Sequence, residues 1–520
     1  MASTSLQQAA DRASKQSVLS SSAPTPSDSP NFKSGAYLTQ APMWELVTDI
    51  ATGTAHVRAL KEKYLPKMPL EDVKEYERRL QSTELFNGVG RTVKGLTGMV
   101  FRRDPVLGDD VPKSFVTDWE NVDNAGTHGD VFSRVAFNEG LKRGHVCILV
   151  DAPPTPEGMT LADEQKLGWR PYWVMVLPEN ILSWRVSTVN GKTMVTQVVI
   201  RTAVTEPRGQ FGEQSAVEYR VYRVDHPDGV TPLVTWQLWR AGSDSVIRMV
   251  GEGAIRNQTE VPLAVAYLGE KVGLLQSVPP LVDLAYTNIA HYQVRSDHRH
   301  SLHKASIPIL VFVNRNAVDT EQEISVNVGI DVGPDGDVKY VEHSGSALGQ
   351  TRMELKDLEV QMAAQGLAML QSETRSAETA EAKRIDKAEQ DSSLAVAARG
   401  MQDCLELAQQ YHSNYRKEQG GSIKVNQDFE SLNFDPAMIA ALLNLHVANV
   451  WSLETLWDAL EAGGIQPQDF DRNMERLRLA LVQKESQEQA MAIADAQSTD
   501  PDPDADPDEP PADNSPPPGA

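Results

Sequence analysis

The chain has 520 residues, more than one hydrophobic core normally holds, so two or three domains are expected. Its formal net charge is −23, and the eight Asp and Glu between Asp495 and Asp513 explain only part of it, leaving a body near −15. Such acidity argues against tight binding to a phosphate backbone, which needs Lys and Arg to displace counterions, although it permits a protein that surrounds nucleic acid without gripping it.

Two cysteines far apart in sequence, Cys147 and Cys404, argue against a disulfide framework and fit a reducing compartment. No apolar run reaches the roughly eighteen residues of a membrane helix, and MASTSLQQAADRASKQS lacks the apolar centre of a secretory signal. The expectation is a soluble intracellular product.

Residues 1–36 are rich in Ser, Ala, Gln and Pro and read as a flexible arm. Helix is expected from Pro42, with Trp44, Val47 and Ile50 on one face and Gly53 as its stop. Pro69 opens another helix, LEDVKEYERRLQ, with acids in its first turn and Arg78 and Arg79 near its end. A third is predicted from Glu84 to Phe101, where Leu85, Val89, Val93, Leu96 and Val100 recur at helical spacing. Asp130 is the expected cap of VFSRVAFNEGLKR, and Gly144 its stop.

His145 to Val150 reads as a buried strand. Around Asn190-Gly191, ILSWRVSTV and KTMVTQVVIR form the best hairpin signal in the chain. Strands VEYRVYRV, LVTWQLWRA, SVIRMV and PLAVAYL follow, so residues 145–270 are predicted to be mostly antiparallel β.

The stretch from Val278 to about His412 organises the rest. A helix opens at Pro279-Pro280 and runs to Ala305. The strand IPILVFV follows, then a turn-rich insert ending in PDGDVKYVE, then a helix from Thr351 to Leu370. A polar break, QSETRSAE, leads to a long helix from Thr379 to His412. Its second half carries the stripe Leu394, Ala398, Met401, Leu405 and Ala408, while its first half is almost wholly polar. That polar half suits solvent or a polar contact between subunits. A strand candidate, IKVNQDF, and three helical segments from Pro436 to about Ala494 come next. The tail 495–520 is acidic, Pro-rich and expected to be disordered.

No motif carries chemistry. NGVGRTVKG at Asn87 to Gly95 matches neither GxGxxG nor GxxxxGK[ST], and no strand precedes it; small residues at a helix–helix contact explain it better. His298, His300 and His303 are clustered, with His291 upstream, but His298 and His300 point about 200° apart on a helix. Polar faces of an assembly helix account for them better than a metal site. Asp109 and Asp110 sit in a loop without a partnering motif, and GxSxG, HExxH and CxxC are absent. The expectation is a non-enzyme without metal or cofactor.

The order of parts resembles the portal proteins, or head-to-tail connectors, of tailed double-stranded DNA bacteriophages. SVPPLVDLAYTNIAHYQVRSDHRHSLHKASIPILVFVN resembles a first stem helix entering a clip strand. DVGPDGDVKYVE resembles the clip exit, and RMELKDLEVQMAAQGLAML the second stem helix. SETRSAETAEAKRIDKAEQDSSLAVAARGMQDCLELA resembles a tunnel loop followed by the long helix that crosses the wing.

The resemblance implies an α+β portal-type protomer. Its parts would be a wing at 37–277, helical then β-rich; stem helices at 279–305 and 351–371; a clip at 306–350; a tunnel loop at 372–378; a long wing helix at 379–412; and a helical crown or cap at 430–494. It implies a homo-oligomeric ring, usually of twelve subunits, at a capsid vertex of the virion, assembled in the host cytoplasm. DNA would pass non-specifically through the channel. The terminase large subunit and later head-completion or tail adaptor proteins would dock on the clip, with major capsid and scaffolding proteins as further partners.

Glu373, Thr374, Arg375, Ser376 and Glu378 are assigned to the channel loop, whose shortness departs from the family pattern. Ile307, Leu310 and Phe312, taken as one strand face, and Leu355, Leu358 and Met362, with Met369, on the second stem helix, are assigned to clip or subunit contacts. The alternatives are another virion structural protein, such as a minor head or adaptor protein, and an enzyme with a β-rich central domain.

Overall fold

A computed structural model describes residues 28–153, 168–189, 191–226, 231–242, 246–306, 309–313, 337–341, 346–368, 392–427, 429, 444–445, 448, 450–462 and 471–497. The first helix, α1 (Gly35–Thr52), begins earlier than the expected start at Pro42. The Ser34 hydroxyl accepts a hydrogen bond from the Tyr37 amide at 3.2 Å, the cap that a Ser at this position supplies. Pro42 lies inside α1 and removes one helical donor, yet the helix continues because its buried face, Trp44, Val47 and Ile50, holds it to the core. The end of the supposed flexible arm is thus fixed structure: the Ser34 amide also donates to the Leu182 carbonyl at 2.9 Å.

Gly53, at φ +106°, ends α1, and α2 (Thr54–Ala59) follows. The next two helices start later than expected because their caps lie further along the chain. Asp72 caps α3 (Val73–Ser82), accepting from the Lys74 amide. Asn87 caps α4 (Gly88–Val100), accepting from the Gly90 amide at 2.7 Å. Leu85, expected in the helix, lies before it and is still buried. After β1 (Val106–Leu107) and α5 (Lys113–Trp119) comes α6 (Gly129–Arg143). His128 takes the cap position foreseen for Asp130, whose carboxylate instead accepts from the Trp119 indole at 3.1 Å.

Gly144 stops α6 at φ +85°, and an added Cβ would lie 2.6 Å from the Ser277 hydroxyl. Position 144 therefore requires glycine twice over, for its left-handed conformation and for its close packing. The chain turns directly into β2 (His145–Asp151), the centre of a three-stranded antiparallel sheet with β3 (Tyr172–Val176) and β9 (Leu263–Tyr267).

Between β3 and β9 a meander forms a five-stranded sheet in sequence order: β4 (Ile181–Val189), β5 (Lys192–Arg208), β6 (Gly212–Asp225), β7 (Leu233–Ala241) and β8 (Ile247–Ile255). Its first hairpin closes at Val189↔Lys192, where the Asn-Gly pair predicted it. Cys147, Leu149 and Val176 of the smaller sheet share one buried cluster with Val198, Ile200 and Tyr222 of the larger. The hairpin β10 (Glu270–Gly273) and β11 (Gln276–Val278) then leads out of the sheets.

The organising stretch is helix, hairpin, helix, helix. Helix α7 (Val282–Ala305) leads to β12 (Ile309–Val313), which pairs antiparallel with β13 (Asp337–Val341); α8 (Ser346–Leu367) follows. Helix α8 starts before Thr351 and ends before Leu370. Helix α9 (Ser393–Tyr415) is capped by Ser392, whose hydroxyl accepts from the Ala395 amide, and runs past His412. Its predicted apolar stripe is buried throughout. It lies close against β9: a Cβ on Gly400 would stand 2.4 Å from the Tyr267 carbonyl. The polar half expected at 379–391 lies outside the described residues. After α9, β14 (Ile423–Lys424) pairs with β1.

The chain divides into two compact units, 1–429 and 430–520. In the second, α10 (Leu453–Ala462) buries Leu456 and Trp457. Helix α11 (Arg472–Gln497) is tied to α10 by Arg472–Asp458 at 2.8 Å and Arg476–Glu454 at 2.7 Å. It runs past Ala494, so the first residues assigned to the disordered tail are helical.

Candidate functional site

The site that the sequence singles out is the pair α7–α8 and the hairpin between them. Helix α7 buries Leu284, Ala285, Asn288, His291, Tyr292 and Ser296, a stripe at three- and four-residue spacing. Polar side chains fasten this stripe to the N-terminal helices. Asn288, fully buried, accepts from the amides of Gly88 (2.9 Å) and Val89 (3.2 Å) and donates to the Phe86 carbonyl (2.7 Å). One side chain thus satisfies groups at the open N-terminus of α4 from outside that helix.

The glycines of NGVGRTVKG are what admit it. A Cβ at Gly88 would approach Met362 Sδ at 3.1 Å and Asn288 Oδ1 at 3.3 Å, and one at Gly90 would meet the Ala51 carbonyl at 2.9 Å. The motif is a meeting point of α1, α4, α7 and α8, the close helix contact that the sequence suggested.

A second fastening is the buried pair Arg79–Glu71, at 2.7 Å. Arg79 also donates to Ser296 of α7 at 3.1 Å and to the Pro66 carbonyl at 2.9 Å. The guanidinium beside Glu71 holds its carboxyl below the usual range. Further out, Gln293 donates to the Tyr64 carbonyl, Arg295 pairs with Glu84 at 3.0 Å, and Lys304 pairs with Glu75 at 3.2 Å. Helix α7 is therefore locked to the N-terminal helices along its length.

The histidines belong to these seams. His298 Nδ1 meets the Thr351 hydroxyl of α8 at 2.7 Å, and His291 faces Glu359 of α8 at 3.4 Å. Burial pushes the His291 imidazole below its ordinary pKa, against the opposing pull of Glu359. His300 faces Glu75 of α3, and His303 is exposed. The polar assembly face foreseen for these residues is thus largely an intramolecular joint. Among the described residues no group of three His, Cys, Asp or Glu is arranged to hold a metal.

The assigned contact residues separate into three groups. Met362 is a correction: it is 3% exposed and belongs to the chain's own core, because the same stripe of α8 closes against α7 and α4. Leu355 and Leu358 are half-buried on that stripe, while Met369 lies outside the described residues. The apolar line that α8 leaves open is Met353, Val360 and Leu367, all exposed. Seven residues make almost two turns, so these three stand one above another. The sequence reading missed them, although their spacing was visible.

In the hairpin, the side chains of Leu310 and Phe312 lie outside the described residues, while those of Val311 and Val313 are described. Ile307 also lies outside the described residues. Val311, Val313, Tyr340 and Val341 are exposed, so this two-stranded sheet carries apolar side chains that the described part of the chain does not cover. Glu373, Thr374, Arg375, Ser376 and Glu378 lie outside the described residues.

Residues 280–416 match the family model of a domain of unknown function, DUF4055. The matched span runs from just before α7 to just after α9, so helix pair, hairpin and long helix fall within one module. No curated protein sequence matches the chain. Among solved structures it is similar to the neck of an empty gene transfer agent particle computed with C6 symmetry, at 12% identity, covering 73% of this chain and 90% of that one, with a TM-score of 0.38. It is also similar to the virion of a native gene transfer agent particle, at 12% identity over 76% and 89%, TM-score 0.34. A third likeness is to the neck of a native particle computed with C12 symmetry, at 10% identity over 73% and 90%, TM-score 0.35.

Proposed function

We propose that this chain is a portal protein: a non-catalytic protomer that assembles into a closed ring at a capsid vertex, passes double-stranded DNA through the centre, and offers its hairpin end to the packaging motor and head-completion proteins. The observation that carries the reading is the helix–hairpin–helix with apolar surface left open outside its intramolecular seam. Helix α7 is fastened inward by Asn288 and Arg79, whereas α8 turns Met353, Val360 and Leu367 outward and the hairpin turns Val311, Val313, Tyr340 and Val341 outward. Aligned exposed apolar side chains of this kind mark an interaction surface.

A face that meets a different face of an identical neighbour generates a ring when the rotation closes. The net charge of −23 suits a wall that repels phosphates and lets DNA slide. Native mass spectrometry of the purified protein tests the reading. A closed multiple of the 57.2 kDa protomer is expected, and a sharp protomer mass at high concentration would overturn it.

A further inference from the structure

The five-stranded sheet contains a projecting arm and an open cleft. Strand β4 pairs with β5 only as far as Ile200, and β7 pairs with β6 only from Glu218. Beyond those points β5 and β6 pair with each other alone, from Ala203↔Val217 to Arg208↔Gly212. This ribbon extends about 20 Å past the sheet, at roughly 3.3 Å per residue. At its tip Gly209, at φ +71°, makes the turn, and Phe211 stands 92% exposed. Among the phenylalanines whose side chains are described it is the only exposed one.

The cleft lies where the core between the two sheets ends. Strand β2 stops at Asp151 and β3 begins at Tyr172, while β6 and β7 continue beneath them. Among the described residues the step leaves a hollow of about 210 Å³ lined by Ala152, Tyr172, Tyr222, Trp236 and Leu238 around the pair Asp151–Arg220. The indole of Trp236 is bedded on Gly253 of β8, where a Cβ would stand 2.9 Å from its Nε1. Glycine in this strand marks close approach of a neighbouring ring, and the cleft wall is held in place by it. Arg220 donates to Asp151 at 2.7 Å, and the Tyr172 hydroxyl donates to the same carboxylate at 3.3 Å. The charges satisfy one another, so the cleft favours an uncharged apolar occupant over an ion.

We infer that the cleft receives Phe211 of a second copy of this chain. The aromatic lining matches a phenyl ring, which packs edge-to-face or offset against Tyr and Trp. The arm cannot fill its own cleft: Phe211 is about 30 Å along a hydrogen-bonded strand from Arg220. Arm and cleft are different surfaces, so the contact runs from head to tail and repeats around a ring. A two-stranded ribbon is marginally stable alone in water, and docking supplies the packing that it lacks. The inference rests on the proposed self-assembly, which its test separates out.

The test places the photo-cross-linker p-benzoylphenylalanine at position 211 in a mixture of isotope-labelled and unlabelled protein, with the assembly mass measured on the same sample. The expected product joins position 211 to a peptide containing Tyr172, Trp236 or Leu238 of the other isotopic form. Phe211→Ala, an exposed site with no folding role, should raise the concentration for half-assembly at least tenfold, and Phe211→Tyr should largely restore it. A closed oligomer whose cross-links fall elsewhere, or that gives none, overturns the inference and leaves the portal reading standing. A protomer that never assembles overturns both.

Discussion

Replacing Asn288 by Leu keeps the volume of a fully buried side chain and removes all three of its hydrogen bonds. The amides of Gly88 and Val89 and the Phe86 carbonyl lose their Asn288 partner at a site closed by Met362. The Gly88 amide still donates to the Phe86 carbonyl at 2.8 Å, so the Val89 amide is the group left unsatisfied, at about 1–3 kcal/mol, and the other two lost bonds add about 0.5–1.5 kcal/mol each, a total of about 2–6 kcal/mol. Hydrogen exchange of peptides spanning residues 86–90 reads this directly. Protection in Asn288→Leu should fall by about thirtyfold or more, since each tenfold change corresponds to about 1.4 kcal/mol. A change under fivefold would refute the claim that Asn288 fastens α7 to α4.

Three other outcomes follow from buried polar groups. His145, between Trp44, Tyr267 and the Ser277 hydroxyl, is lowered by burial from 6.5 to about 3, so the fold holds the neutral imidazole. Its stabilising effect is complete above pH 6.5 and is lost as the pH falls from 6.5 toward 3; about 2 kcal/mol should be gone by pH 5, and urea unfolding of His145→Gln should show a correspondingly flatter pH dependence. Arg79→Met should lower stability by about 3–5 kcal/mol by stranding Glu71, and adding Glu71→Gln should recover part of it in the same assay; no recovery would mean that Arg79 acts through Ser296 and Pro66 instead. Burial pushes both the Cys147 and Cys404 thiols up, so neither should react with a thiol reagent at pH 8 in the native protein, and both should react after denaturation; fast native labelling would contradict their placement.

Local rules were legible wherever one residue type dominates the outcome. Gly53 and Gly144 end helices because only glycine adopts their left-handed φ cheaply, and the 181–201 hairpin closes where the Asn-Gly pair put it. The stripe on α9 is buried as its spacing implied. Boundaries shifted where caps compete: Ser34, Asp72 and Asn87 set the starts of α1, α3 and α4, while the prolines at 42 and 69 drew attention away from them. The contact assignment of Met362 failed for a tertiary reason. Both faces of α8 carry apolar residues, and only the position of Gly88, far away in sequence, shows which face turns inward. The ribbon tipped by Phe211 was invisible for a similar reason, since strand lengths alone do not reveal where neighbouring strands stop.

The central claim, a closed ring built around the α7–α8 pair, is tested most directly by electron microscopy of the purified protein beside the variant Val360→Asp. The account predicts rings with a central hole for the parent protein. For the variant it predicts dispersed protomers that keep the parent's circular dichroism, because Val360 is 70% exposed and takes no part in the fold's own core. Rings that form equally well when every subunit carries the substitution would remove α8 from the interface, and a parent protein that shows only isolated protomers at high concentration would contradict the account itself.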